Sequence, residues 1–320
     1  MKRQDIIFEF KKKIMKVEDE HLLKYFFDGK YFSLHPLLSS LCLSLGNVNE
    51  VNPGYADEMI RRLVALKGKK EETLEDILSV FSEILIANHA VSIADSIDGK
   101  KYFLNEPGLK QKKKNPEFRS VYNGKYYCAE VKKPKLISYR KTRKRPFQLP
   151  ARMPSDLSLG SKEETTLPRD NPIKDFLISA QAKFEAYREE YSDDYRLLFI
   201  MWDDFMYEPI SALKHPFQGL LTKNSFYKDS EGFAVEFPLI DGIVIVKHLH
   251  NFENALLEFP LNDDIRHVFQ YEKQYPLHAF IQNPSGRKVP GEFLEAFDCM
   301  EEDAFNLFAD YAITDFVFWI

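Results

Sequence analysis

Residues 115–135 read NPEFRSVYNGKYYCAEVKKPK, and this stretch carries the reading of the fold. Asn123-Gly124 is a strong two-residue hairpin turn signal, because both central positions of such a turn favour positive φ. The arm that follows, Lys125 to Lys132, is rich in Tyr and Val, as a strand should be. Strand side chains alternate between faces, so Glu130 and Lys132 point to the same side. Glu117, on the preceding arm, can reach that side as well. Two carboxylates and an ammonium then converge at one edge of the hairpin. Such a set can hold a divalent cation and position a water for attack on a phosphate. A Glu-x-Lys pair on a solvated strand face is common, and there it would add only about 0.5 kcal/mol. The flanks therefore carry part of the argument.

Leu74, Ile77, Leu78, Phe81 and Leu85 recur at helical spacing upstream, with Glu83 beside Val80, Ile86 and Ala87. Downstream, PIKDFLISAQAKFEAYREEY reads as a second helix with Pro172 at its start. RLLFIMW (196–202) and DGIVIVKHL (241–249) follow as apolar, buried strands.

Pro116-Glu117 and Glu130-Val131-Lys132, thirteen positions apart from acid to acid, resemble the motif of the PD-(D/E)xK nuclease superfamily, with Glu in place of the more usual first Asp. The resemblance covers roughly residues 71–250. It implies a restriction-endonuclease-like αβββαβ core, with a helical extension over 1–70 and a mixed α/β extension over 251–320. It also implies Mg²⁺, with Mn²⁺ able to substitute, held by Glu117, Glu130 and the carbonyl of Val131. Lys132 would orient the water or stabilise the transition state, and Glu83 would supply the acid that the first core helix often contributes. Glu72 or Glu75 can stand in Glu83's place. Gln181 and Tyr187 are similar to the Gln and Tyr of some family branches, although an ordinary helix-surface residue explains Gln181 equally well. The implied activity is cleavage of phosphodiester bonds in DNA, with a restriction or antiphage role by analogy. A catalytically inactive nucleic-acid-binding scaffold on the same fold is the alternative. RNA as substrate stays open, since nothing in the sequence reads the 2′-hydroxyl.

Charge is a second, independent signal. Between Lys110 and Arg145 lie fourteen Lys and Arg against only Glu117 and Glu130, so this segment carries +12 in a chain of net −5. Lys112, Lys113, Lys114, Lys133, Lys135, Arg140, Lys141, Arg143, Lys144 and Arg145 are the residues expected to meet phosphates. Interleaved Tyr122, Tyr126, Tyr127, Tyr139 and Phe147 can stack on unpaired bases. A run of charge is usually solvated surface, but in this segment the only opposing acids are those of the motif.

Other chemistries find little support. Cys42, Cys128 and Cys299 are too dispersed for a metal pair or a disulfide framework. His248 and His250 alternate on an expected strand end, a weak metal signal. Asp203-Asp204 reads as a strand-end turn as readily as a second acidic site. No Gly-rich phosphate loop or Gly-x-Ser-x-Gly elbow occurs. No stretch reads as a membrane span and no signal-peptide core is evident, so a cytoplasmic protein is expected. Residues 136–171 read as a long, basic, mobile loop, and 251–320 as short strands with a helix from Gly291 to Asp310 and a final apolar strand. Phe-rich ends suggest a homodimer contact. A separate protein that supplies targeting or sensing is the other partner the resemblance implies.

Overall fold

A computed structural model describes residues 3–18, 20–27, 34–68, 70–107, 115–135, 147–148, 165–166, 169–202, 207–261, 265–271 and 278–301. The chain opens with helices α1 (Arg3–Met15), α2 (Pro36–Val51) and α3 (Tyr55–Ala65), with a short 3₁₀ turn over Leu22–Phe27. Pro36 opens α2, where a missing N–H costs nothing, and His35 Nδ1 accepts the Leu37 N–H at 3.2 Å. Gly54, at φ 100°, lets the chain reverse into α3.

Helix α4 (Glu71–Ile93) runs through the middle of the molecule and packs on α2 and α3. Its length and apolar content are enough to cross a membrane, contrary to the expectation from sequence, but Ile77, Leu78, Phe81, Ile84, Leu85 and Ala90 are buried within the fold. It is a core helix whose apolar surface is covered by protein on several sides. Buried residues of the N-terminal helices belong to one core cluster with those of α4 and the sheet.

After a small hairpin of β1 (Ser96–Ile97) and β2 (Lys100–Lys101), three strands form an antiparallel meander: β3 (Phe103–Asn105), β4 (Phe118–Tyr122) and β5 (Lys125–Lys132). Asn123 at φ 48° and Gly124 at φ 70° make the tight turn between β4 and β5. Two short strands, β6 (Phe147–Gln148) and β7 (Thr165–Thr166), pair in parallel. Helix α5 (Asp170–Arg188) begins inside the stretch expected to be loop, and buries Ile173, Leu177, Ala180, Phe184 and Tyr187. Strand β8 (Tyr195–Trp202) then returns parallel to β5, with Glu130 opposite Leu198 and Lys132 opposite Ile200.

Helix α6 (Tyr207–Lys214), β9 (Gly242–Lys247), α7 (Leu249–Leu256), β10 (His278–Gln282), α8 (Gly291–Ala296) and β11 (Cys299–Glu301) complete the described chain. The large sheet has the order β11-β10-β9-β8-β5-β4-β3, with β5, β8 and β9 mutually parallel. This is a mixed α/β protein: N-terminal helices, then a seven-stranded mixed sheet interleaved with helices.

Two expectations for the C-terminal part are corrected. The helix expected over Gly291–Asp310 stops at Ala296, because Asp298 takes φ 49° and Cys299–Glu301 pairs with β10. His248 and His250 are not on a strand end: β9 stops at Lys247, His248 precedes α7 and His250 lies within it. His248 Nε2 is 2.7 Å from the Val268 carbonyl oxygen. The expected C-terminal apolar strand and Asp203-Asp204 lie outside the described residues.

Side-chain parity on β5 sorts the core. Tyr127, Ala129 and Val131 face the α4 side with Phe199 and Met201. Cys128 faces the α5 side with Leu198, Ile200 and Trp202, packed as a small apolar group. Glu130 shares the parity of Cys128 and so enters from the α5 side.

Candidate active site

The site forms where β4 leaves β5. The last rung of that ladder is the Glu117 N–H donating to the Ala129 carbonyl at 2.9 Å. Beyond it, the end of β5 pairs with β8 alone among the described strands. Glu117 therefore stands at the mouth of the gap and Glu130 at its floor, where its side chain has no solvent exposure.

Both acids meet the same ammonium. Lys183, on α5, lies 3.0 Å from Glu117 Oε1 and 2.9 Å from Glu130 Oε2. Lys132, two residues along β5, places its Nζ 2.6 Å from Glu130 Oε1. That oxygen is also 2.8 Å from Lys183 Nζ. Neither approach to Oε1 has the angles of a hydrogen bond, so this buried oxygen has charge around it but no aligned donor. Close ion pairing without directed bonding is the weaker way to satisfy a buried carboxylate.

Glu83, on α4, belongs to the same electrostatic cluster. Arg62, from α3, grips it with both prongs of its guanidinium, at 2.5 Å and 2.7 Å. Burial is the main reason the Glu83 carboxyl is pushed up to about 7, and the charge of Glu117 adds to it against the pull of Arg62. Burial, then Glu117, also raises Glu130, while Lys183 and Lys132 draw it back. For Lys183, burial favours the neutral amine, but Glu117 and Glu130 outweigh it and hold the ammonium above its ordinary value. Glu117 is the common neighbour, acting on Glu83, Glu130, Arg62 and Lys183 alike.

The residues expected from sequence thus fall into separate groups. Glu117, Glu130 and Lys132 come together, with Glu83 close enough to feel both acids. Val131 stands between Glu130 and Lys132 on β5. Gln181 lies two residues from Lys183 on α5, and its Oε1 accepts the Leu239 N–H at 3.0 Å, bracing the chain ahead of β9. Tyr187 donates to Asp194, and Arg119 grips the same carboxylate. Lys133 is turned inward onto Glu75, with 2% of its side chain exposed. Glu72 is exposed at the start of α4. Lys135 is exposed, whereas Lys112, Lys113, Lys114, Arg140, Lys141, Arg143, Lys144 and Arg145 lie outside the described residues.

Lys183 and Arg62 join the site without belonging to the sequence motif. Lys183 carries one faint signal in the sequence, a charge next to Phe184 at the border of the buried stripe of α5. Arg62 carries none beyond its place on an amphipathic helix.

Among the described residues, no three His, Cys, Asp or Glu side chains group as a metal cage. Zinc-type coordination therefore has no donor set among them. Mg²⁺ asks for less: hard oxygens, commonly one or two carboxylates, with water and substrate phosphate filling the rest. Glu117 and Glu130 meet that requirement, and the undirected Oε1 of Glu130 is the kind of oxygen such an ion would bind. The donor set fits Mg²⁺ or Mn²⁺. Searches against protein-family models, curated proteins and solved structures find no match to this chain, so the reading of the site rests on its own geometry.

Proposed function

We propose that this protein is a metal-dependent nuclease that hydrolyses phosphodiester bonds in DNA, built on a restriction-endonuclease-like αβββαβ core. The observation that carries this reading is the meeting of Glu117 and Glu130, from the two arms of the hairpin, at the open end of the β4–β5 ladder, with Lys132 on the second acid. The order helix α4, three-stranded meander, helix α5, then a strand parallel to β5 supports the core.

Each side chain has a role its position allows. Glu117 and Glu130 would hold the cation, and Val131 would add its carbonyl. The cation, when bound, polarises the scissile phosphate and acidifies a water. Lys132 keeps its ammonium beside Glu130, where it orients the nucleophile and stabilises negative charge gathering on the phosphoryl oxygens. Glu83 extends the acidic wall, directly or through water. The basic residues flanking the motif bind the backbone without reading its sequence. A restriction or antiphage role, with targeting by a second protein, follows by analogy with stand-alone nucleases of this fold.

A second reading, an inactive nucleic-acid-binding module, is favoured by one observation: Lys183 already compensates both acids with protein charge. Incubation with plasmid and linear DNA, in Mg²⁺, Mn²⁺ or EDTA, separates the two. A nuclease cuts in a metal-dependent way and loses at least ~10²-fold in rate on Lys132→Ala or Glu130→Ala, while Lys132→Ala still binds DNA. Binding with no cutting of DNA or RNA under any metal supports the module.

A further inference from the structure

Lys183 stands where a metal ion would have to go. Its ammonium touches Glu117 Oε1 at 3.0 Å and both oxygens of Glu130 at 2.8 Å and 2.9 Å. Mg²⁺ must approach such oxygens to about 2.0–2.1 Å, in the space between the two carboxylates that the Lys183 ammonium fills. Two cations cannot share that ground.

We infer that Lys183 is an internal counter-cation of the site, which must withdraw before a divalent ion can bind between Glu117 and Glu130, so that metal loading is coupled to nucleic-acid binding. This rests on the proposed function. Lys132 is less suited to the same part, since it pairs with Glu130 and stands on the strand itself. Lys183 is mounted on the facing helix and links the two acids. One fifth of its side chain is exposed, and the flexible four-carbon stem can carry a strongly hydrated ammonium outward to water.

Charge balance gives the exchange its direction. Glu117 and Glu130, counted as ionised, pair with Lys132 and Lys183, and Glu83 pairs with Arg62, so these ion-paired groups are neutral as they stand, while Glu106, whose carboxyl burial raises, adds charge beside Glu117 and Lys183 only when ionised. Replacing Lys183 by a divalent ion leaves one excess positive charge in a poorly solvated place. A phosphodiester brings one negative charge and cancels it. Metal without substrate is thus disfavoured, and metal with substrate is balanced. By linkage, each tightens the binding of the other.

The test is Mn²⁺ binding by the full chain, read by electron paramagnetic resonance and calorimetry, for wild type, Lys183→Met, Lys183→Gln, and each Lys183 variant combined with Glu130→Ala. Lys183→Gln keeps an amide donor toward the acids and guards against loss of folding in Lys183→Met. Without DNA, both Lys183 variants should bind Mn²⁺ about 10- to 100-fold more tightly than wild type, the range by which neighbouring groups tune metal affinity. Adding a cleavage-resistant phosphorothioate duplex should tighten Mn²⁺ binding in wild type and do so less in the variants. Equal Mn²⁺ affinity in wild type and both variants overturns the inference, even if wild-type protein cuts DNA. A gain of affinity in the variants that Glu130→Ala abolishes upholds it, even if no protein cuts any nucleic acid, in which case only the nuclease assignment falls.

Discussion

Removing Arg62 should expose how Glu83 is kept in place, and the signature should be its pH dependence. In Arg62→Met the volume is largely kept and the two-pronged contact at 2.5 Å and 2.7 Å is lost. Breaking a buried ion pair from one side costs ~3–5 kcal/mol. Arg62 is 31% exposed along its side chain, so water enters and a loss of roughly 2–3 kcal/mol is the better expectation. The sign follows from Glu83, whose carboxyl is already held up at about 7, with burial as the largest cause. A raised carboxyl gives stability that is complete below the ordinary carboxylate range and lost as pH rises through the folded value. Without Arg62 that value moves higher still. Below pH ~7 both proteins carry the proton when folded, so their difference should be flat and small, near ~1 kcal/mol for the lost hydrogen bonds. Above pH ~7 wild type levels off while the variant keeps losing stability, at up to ~1.4 kcal/mol per pH unit. Urea unfolding between pH 6 and 9 measures this directly. Adding Glu83→Gln should make the deficit independent of pH. A deficit in Arg62→Met that is flat, or largest at low pH, would refute the assignment of Glu83 as a buried acid whose ionised form Arg62 stabilises.

Three further outcomes follow from other parts of the fold. Gly124→Val should cost ~1–2 kcal/mol in urea unfolding, because the turn needs φ 70° while open space surrounds the new side chain, and Mn²⁺ affinity should not change. Asp241→Ala should cost ~3–5 kcal/mol, since this fully buried carboxylate accepts from the Arg196 N–H and guanidinium and from Arg287; an unfolding midpoint equal to wild type would count against that network. Replacing Arg143, Lys144 and Arg145 together by Ala should weaken DNA binding on every sequence and flatten its salt dependence by roughly 2–3 units of log–log slope, read by fluorescence anisotropy from ~50 to ~200 mM salt.

Where the sequence is legible, the controlling forces are local. Asn123-Gly124 prescribes a turn with positive φ at both positions, and that turn sets the register of β4 on β5. Register then carries Glu117 to the Glu130 end of the hairpin, so the turn signal alone is enough to bring the acids together. The helical apolar spacing of α4 and the apolar runs of β8 and β9 are equally local. The departure at α8 has a non-local cause. Residues 297–301 have helix-compatible composition, but Cys299–Glu301 finds an edge of the sheet at β10, and pairing with a distant strand outweighs local propensity. Lys133 illustrates the cost of counting charge without parity. One step beyond Lys132 it faces the other side of the sheet, where Glu75 of α4 takes it out of solvent.

The same distinction explains why the acids are visible in the sequence and their counter-ions are not. A pair of acids on one hairpin is written within a few residues, since backbone geometry alone brings it together. Lys183, which compensates it, comes from α5, and Arg62, which holds Glu83, comes from α3, and both are chosen by how helices pack on the sheet. Glu130, fully buried, cannot stay ionised without such partners. The need for a cation near Glu130 is therefore implied by the motif itself, and only its source is open: an ion from solution or an ammonium from the protein. Lys183 supplies the protein's answer, and the exchange between the two is the step on which loading of this site turns.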